Sequence, residues 1–127
     1  MILADTSVWI EYFRKHEPVF SLLARLLAGS RILGSEAVFA ELLQGARNES
    51  ERRLILEHWN YLPKWDESGL YIRAGAEAGR HKWSSAGIGL IDSAIIILAH
   101  ETQSQVWTLD KKLLAVLKPY ERYQADG

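Results

Sequence analysis

Apolar residues follow two alternating patterns along this chain, short nearly unbroken runs and longer stretches with helical spacing. The run Ile2-Leu3-Ala4 leads directly into Asp5, and the mostly apolar residues 105–109 lead in the same way into Asp110. Such runs predict short strands buried on both faces, whereas a 3.6-residue period predicts helices. Weaker runs predict two further strands, at residues 31–34 and 120–123.

The helical pattern recurs seven times, with breaks at glycine, serine and proline. Pro18 interrupts one helix and Pro63 ends another, because proline disfavours helical backbone at the preceding residue. Ser35 is a favoured residue for capping the helix that follows it. The segment 90–102 is apolar on nearly every side, which predicts a buried central helix. The predicted helices cover residues 7–15, 19–28, 36–47, 50–62, 67–82, 90–102 and 111–117.

Short strands that alternate with helices predict an α/β fold, here a three-layer α/β/α sandwich with a short-stranded parallel central sheet. A length of 127 residues without repeats or linkers predicts one domain, residues 1–127. Helix content should exceed strand content. Ligands of such folds bind at the carboxyl ends of the strands. If the first and last long strands are parallel neighbours, Asp5 and Asp110 meet at that edge.

The composition excludes several classes of protein. The chain has no cysteine, so disulfides and thiolate zinc sites are impossible. The longest apolar run, residues 94–99, is too short to cross a bilayer, and no secretion signal is evident, so we expect a cytoplasmic protein. The net charge of −1 is unusual for a nucleic-acid binder. If four of the 16 acids are sequestered in a metal site, the 15 Lys and Arg outnumber the remainder and permit a polyanionic substrate.

Four acidic residues stand out because each interrupts an apolar context, although each has an ordinary structural explanation. Asp5 and Asp110 can cap the helices that follow them. Asp92 lies in the first turn of its helix, where a negative charge suits the helix dipole. Glu41 lies at the margin of an apolar stripe, a common place for a partly exposed glutamate. For each acid alone, the structural explanation is favoured.

The same acids considered together indicate a metal site. Asp92 is flanked by apolar residues, where an ionised carboxylate is costly unless it is paired or binds a cation. Asp5 and Asp110 should meet at one sheet edge, and Thr108 shares a strand face with Asp110 because side chains alternate along a strand. A set of oxygen ligands suits Mg²⁺ or Mn²⁺ better than zinc.

Four short motifs carry these acids in a fixed order. They are a strand ending in Asp5-Thr6-Ser7, the helical triplet Ala40-Glu41-Leu42, the sequence Leu-Ile-Asp-Ser-Ala-Ile at residues 90–95, and Thr108-Leu109-Asp110. This ordered set resembles the PIN domain and covers essentially the whole chain. All four acidic positions of the family pattern are filled. The small size is most similar to the VapC-type toxins of toxin–antitoxin pairs.

The resemblance implies a metal-dependent endoribonuclease that leaves 5′-phosphate and 3′-hydroxyl ends. One or two Mg²⁺ or Mn²⁺ ions would lower the pKa of a bound water, orient it at phosphorus and stabilise the leaving oxygen. The expected catalytic residues and metal ligands are Asp5, Glu41, Asp92 and Asp110. Thr6 and Thr108 would orient carboxylates or water through their hydroxyl groups. No pair of histidines is placed for attack by the ribose 2′-hydroxyl.

Basic residues beside these motifs are the candidates for RNA binding. Lys111 and Lys112 follow Asp110 and can meet phosphates. Arg80 and Lys82 precede Trp83 in a basic and aromatic stretch that suits single-stranded RNA. A structural explanation also stands, because cations favour the carboxyl ends of helices and tryptophan is common in cores.

The resemblance further implies two protein partners, a cognate antitoxin and a second copy of the chain. The antitoxin would wrap the toxin with an amphipathic segment and block the acidic pocket with a basic side chain. Apolar positions for either interface are Leu54, Ile55 and Trp59. Two alternative functions stay open. One is a PIN scaffold that binds RNA or protein without catalysis. The other is a phosphotransfer domain with a phosphorylated aspartate, although the haloacid-dehalogenase pattern needs a second aspartate where this chain has Ser7.

Overall fold

Two parallel strands form the centre of the structure, a computed structural model that describes residues 1–124. They are β1 (Ile2–Ala4) and β2 (Gln105–Trp107), and Ala4 lies opposite Trp107 in the register. The expectation that the two runs ending near Asp5 and Asp110 are adjacent and parallel is confirmed. The short β1 is buried along its whole length, as an unbroken apolar run predicts.

Isolated parallel bridges extend this pairing on both sides. Residues 31–34 contribute two of them, between Ile2 and Ile32 and between Gly34 and Lys64, rather than a full strand. The predicted strand at 120–123 is wrong except for a bridge between Arg122 and Val106. Its first residues belong to a 3₁₀ helix, Pro119–Glu121, because proline suits the first position of a helical turn.

Seven α-helices lie within residues 1–124, near the predicted positions but with shifted ends. The helix predicted from residue 67 begins only after Gly69, whose φ of +72° is not helical. The helix predicted to residue 47 ends before Gly45, a common residue at helix ends. The loop predicted at 84–89 contains a 3₁₀ helix, Trp83–Ala86. The helices are α1 (Thr6–Phe13), α2 (Val19–Ala28), α3 (Glu36–Gln44), α4 (Glu49–Tyr61), α5 (Leu70–His81), α6 (Leu90–Thr102) and α7 (Lys111–Val116).

Helix α6 is the central helix that its composition predicts. Its residues 93–99 are all buried, and it packs against α3, α5 and both strands. Helices far outnumber strands in the described chain, and the sheet is small and parallel, so the α/β class is confirmed. No helix within residues 1–124 is long and apolar enough to cross a membrane.

Candidate metal-binding active site

Asp5 occupies the point where β1 passes into α1. Its amide donates to the carbonyl oxygen of Trp107 at 3.0 Å, which places Asp5 beside Thr108. Its carboxylate is buried, with 5% of the residue exposed, and it caps α1 by accepting from the Val8 amide at 3.3 Å. The other oxygen of the same carboxylate accepts from the Thr108 hydroxyl. Burial raises the pKa of Asp5, and the hydrogen bonds from Ser7, Thr108 and Val8 partly oppose that rise.

Thr108 connects the two strand-end aspartates. While its hydroxyl donates to Asp5, its oxygen accepts from the Asp110 amide at 3.0 Å. Asp110 in turn caps α7 by accepting from the Lys112 amide at 2.9 Å. The sequence prediction that Asp5 and Asp110 lie at one edge of the sheet therefore agrees with the structure.

Glu41 reaches the same edge from α3. Its Oε1 accepts from the Thr6 hydroxyl at 2.6 Å, and Thr6 directly follows Asp5. Both threonines that were expected to orient carboxylates therefore contact one. The Thr6 hydroxyl donates to Glu41, and the Thr108 hydroxyl donates to Asp5. Their role toward a metal ion stays a prediction.

Asp92 lies in the first turn of α6, where the negative charges of the other three acids act on it. Burial, and then the negative charges of Asp110, Asp5 and Glu41 in that order, together raise its pKa from the ordinary 3.8 to about 6. The other three predicted site residues therefore lie within electrostatic range of Asp92. Repulsion among like charges favours protonation of one of them near neutral pH.

The four carboxylates do not form a closed coordination shell. Within residues 1–124, no three histidines or acids lie close enough together to hold a metal ion. Like charges repel, and three of the four carboxylates are turned toward hydroxyl or amide donors on their own or neighbouring elements. The donor set nevertheless consists of carboxylate and hydroxyl oxygens, which fits a hard cation such as Mg²⁺ or Mn²⁺.

The three aspartates do occupy the helix-capping and first-turn positions that the sequence also predicted for them. Asp5 and Asp110 do cap helices, and Asp92 does lie in a first helical turn. Capping uses Oδ1 of each aspartate, so Oδ2 of Asp110 still has free lone pairs. The capping role therefore does not exclude binding of a cation.

Ser7 is a site residue that sequence reasoning missed. Its hydroxyl donates to Oδ1 of Asp5 at 2.5 Å and accepts from the Leu109 amide at 3.0 Å. The residue therefore ties the segment after β1 to the segment after β2. The only signal in the sequence was its spacing, because Ser two residues after Asp allows such a local bond.

The predicted RNA-binding residues differ in their surroundings. Arg80 is bonded to Glu77 on its own helix at 2.9 Å. Lys82 ends α5 in a left-handed conformation and is exposed. Lys111 and Lys112 are exposed at the start of α7, and neither forms an ion pair within the described chain. An RNA contact stays a prediction for all four residues.

Comparison with known proteins gives one family and one relative. The model of the family described as the PIN domain matches residues 2–118. A phosphatidylserine decarboxylase proenzyme from Hamiltonella defensa subsp. Acyrthosiphon pisum (strain 5AT) is 32% identical over 85 residues. That match covers 67% of this chain and 28% of the proenzyme. Because the chain spans little more than a quarter of that protein, the activity in its name is not assigned here.

Removing the charge of Asp92 should stabilise the metal-free protein at pH 7. A pKa raised to about 6 in the folded state means that the stability from neutral Asp92 is complete below about pH 4 and is lost as the pH rises through 6. Asp92→Asn removes this loss. After a discount for solvent screening of the half-buried group, the variant should exceed wild type in free energy of unfolding at pH 7 by about 1 kcal/mol. Melts in EDTA across pH 4–8 measure the difference, which should vanish toward pH 4.

Glu49→Gln is the control, because Glu49 also lies in the first turn of a helix but is exposed and paired with Arg52. Loss of its charge should lower stability slightly, through the helix dipole and the exposed ion pair. A metal-free Asp92→Asn protein that melts below wild type at pH 7 would assign Asp92 to the dipole alone.

Proposed function

Because the chain belongs to the PIN domain family, we propose that it is a Mg²⁺- or Mn²⁺-dependent endoribonuclease leaving 5′-phosphate and 3′-hydroxyl ends. Proteins of this family are generally nucleases, so the match supports nuclease-type activity. The observation that carries the proposal further is the pKa of Asp92, which burial and then the negative charges of Asp110, Asp5 and Glu41 raise to about 6. We place the chain among the toxins of toxin–antitoxin pairs and expect it in the cytoplasm.

The proposed active site holds its carboxylates with different rigidity. When bound, one or two Mg²⁺ or Mn²⁺ ions would activate a water and stabilise the leaving oxygen. Asp5 is the fixed ligand, because hydrogen bonds from Ser7 and Thr108 hold its buried carboxylate. Asp92 must lose its proton to bind the cation, so metal affinity should rise as the pH passes 6. Glu41, exposed and held by one hydroxyl, can adjust its position.

The histidines support attack by water rather than by the ribose 2′-hydroxyl. Each contacts a partner elsewhere, in the pairs His16–Glu11, His58–Tyr12, His81–Glu77 and His100–Glu121. A reaction through the 2′-hydroxyl commonly needs a paired acid and base, whereas attack by metal-activated water needs no histidine.

We propose further that Lys111 and Lys112, and less directly Arg80 and Lys82, bind RNA phosphates. We also propose that the chain forms one domain, residues 1–127, in which the helices pack as a three-layer sandwich with the sheet.

Wild-type protein should cut single-stranded RNA in Mg²⁺ or Mn²⁺ and stop cutting in EDTA. Asp92→Asn and Asp110→Asn should each abolish cleavage, since each removes a proposed metal ligand. Asp66→Asn is the control, because Asp66 is an exposed acid bonded to Ser68 near the start of α5. Electrophoresis with end mapping gives the products and their termini.

Products with 2′,3′-cyclic phosphate, or full activity in EDTA, would contradict the mechanism. Binding of RNA without cleavage under every metal condition would support the alternative of a non-catalytic scaffold.

A groove beside the acids is the proposed docking site for the antitoxin. It has a volume of about 260 Å³ and runs between α1, α3 and α4, starting at Thr6 and Glu41. Most of its lining is apolar, although Arg14, Arg47 and Glu51 also line it. The larger apolar side chains are Ile10, Phe13, Leu42, Leu54 and Ile55. An apolar helix face fits such a groove, and a basic side chain beside it would reach Glu41. Of the three interface positions predicted from sequence, only Leu54 is well exposed, since Ile55 is buried and Trp59 packs on Phe39.

Leu54→Arg should weaken binding of the antitoxin without affecting cleavage of RNA, because it places a charge on the apolar groove wall. Leu56→Arg is a matched control, since Leu56 lies on the same helix with nearly the same exposure, 42% against 43%, but outside the groove. The measurement is inhibition of cleavage by the cognate antitoxin, to be sought as a small protein encoded by a gene adjacent to this one. Equal inhibition of both variants would remove the groove from the interface.

A further inference from the structure

The side chain of Lys112 lies against Gly87, in the loop between α5 and α6. A Cβ atom built on Gly87 would be 3.1 Å from Cδ of Lys112 and 3.5 Å from its Nζ. The backbone of Gly87 also has a φ of +81°, a conformation that other residues rarely adopt. Glycine is therefore favoured here for two independent reasons, the left-handed backbone and the room for the lysine.

The loop that carries Gly87 has a defined conformation. The Gly87 amide donates to the Ser84 carbonyl oxygen at 3.1 Å, and the Ile88 amide donates to the Trp83 carbonyl oxygen at 3.0 Å. Ile88 is buried, which fixes the loop to the core just before α6 and Asp92. Gly87 is thus a firm support rather than part of a freely moving loop.

Helix α7 presents Lys112 to this support from the other side of the site. The Lys112 amide donates to Asp110, so Lys112 lies in the first turn of its helix, two residues after a proposed metal ligand. Its stem then crosses to Gly87, five residues before Asp92. The contact therefore connects the start of α7, which follows Asp110, with the loop that precedes Asp92.

The charge of Lys112 is available to a ligand. The residue is exposed and forms no ion pair within residues 1–124. A lysine with an unrestrained side chain loses considerable rotamer freedom when it binds an anion, and support for its stem reduces that loss. Glycine at 87 leaves the space in which the stem can lie.

We propose that Gly87 is a positioning residue that holds the Lys112 ammonium at the edge of the acidic site, where it binds a backbone phosphate of single-stranded RNA. The inference rests on the proposed ribonuclease function and adds the part of the chain that fixes one phosphate contact. A Cβ at position 87 would lie 3.1 Å from Cδ of Lys112, so the lysine stem must shift, and Gly87→Ala should weaken the phosphate contact while Lys112 keeps its charge.

The test measures binding of a short fluorescein-labelled RNA of mixed sequence at several salt concentrations, in Mg²⁺ and in the Asp92→Asn background so that the RNA stays intact. Lys112→Ala should make the slope of log affinity against log salt shallower by about 0.7, the value for one phosphate contact to a single strand. Gly87→Ala should make the slope shallower by a smaller amount, because the lysine shifts but keeps its charge. The two changes together should have no greater effect than Lys112→Ala alone.

Gly69→Ala is the matched control. Gly69 also has a positive φ, +72°, and its Cβ would lie 3.0 Å from Nη1 of Arg73, a cation that pairs with Glu101. It should share the backbone strain of Gly87→Ala, seen as a lowered melting temperature, while leaving the salt slope unchanged. A steeper or unchanged slope for Gly87→Ala, or additive effects with Lys112→Ala, would overturn the inference.

Cleavage by proteins with Asp92 intact separates this inference from the proposed function. If wild type cuts the RNA in Mg²⁺ while Gly87→Ala and Lys112→Ala keep its KM, this inference and the proposed phosphate contact of Lys112 fail, while the ribonuclease function stands. If wild type neither binds nor cuts the RNA, the proposed function and this inference both fail. The expected result is a raised KM in both variants, with kcat changed much less.

Discussion

The parallel pairing of β1 with β2 is the constraint on which the whole site depends. The bond from Thr108 to Asp5 joins residues 103 positions apart in the chain, so it can form only after the two ends of the sequence have come together. The amide of Asp5 completes the pairing on the carbonyl oxygen of Trp107, and the Ser7 hydroxyl continues it to Leu109. Beyond Trp107, hydrogen bonds from side-chain hydroxyls rather than backbone pairs connect the two segments. The strands therefore end at the residues that carry the acids.

Three helix N-termini converge on this edge and moderate the repulsion among the acids. Asp5 and Asp110 cap α1 and α7, and Asp92 lies in the first turn of α6. Each N-terminus carries a partial positive charge, worth about 0.3–1 kcal/mol to a nearby carboxylate. That is too little to offset burial and the charges of Asp110, Asp5 and Glu41, which raise the pKa of Asp92 to about 6. The proposed divalent cation would neutralise the remaining charge.

Much of this was predictable from local patterns. Unbroken apolar runs identified β1 and β2, and the nearly uniform apolar composition of α6 identified the buried helix. The exact ends were less predictable, because they depend on distant partners. The amide of Leu109, for example, bonds Ser7 rather than continuing a strand. Residues 120–123 have a strand-like composition, but Pro119 and the bond from the Lys118 amide to Glu121 produce a 3₁₀ turn.

The candidate site, like the fold, could be predicted only in part from the sequence. The four acids were evident because each interrupts an apolar context. Ser7 and Gly87 were not, since their importance lies in contacts with Leu109 and Lys112, which the sequence alone does not pair. The groove between α1, α3 and α4 was equally hidden, because it depends on which side of α4 faces the core.

Crystals soaked in Mn²⁺ and measured at an anomalous wavelength test the central claim most directly. The account predicts one or two anomalous peaks bound by carboxylate oxygens of Asp5, Asp92 and Asp110, with Glu41 bound directly or through water. The same crystals of Asp92→Asn should show much weaker peaks. Strong Mn²⁺ peaks on other residues only, or none in protein that still cuts RNA in solution, would contradict the assignment of this edge as the metal site.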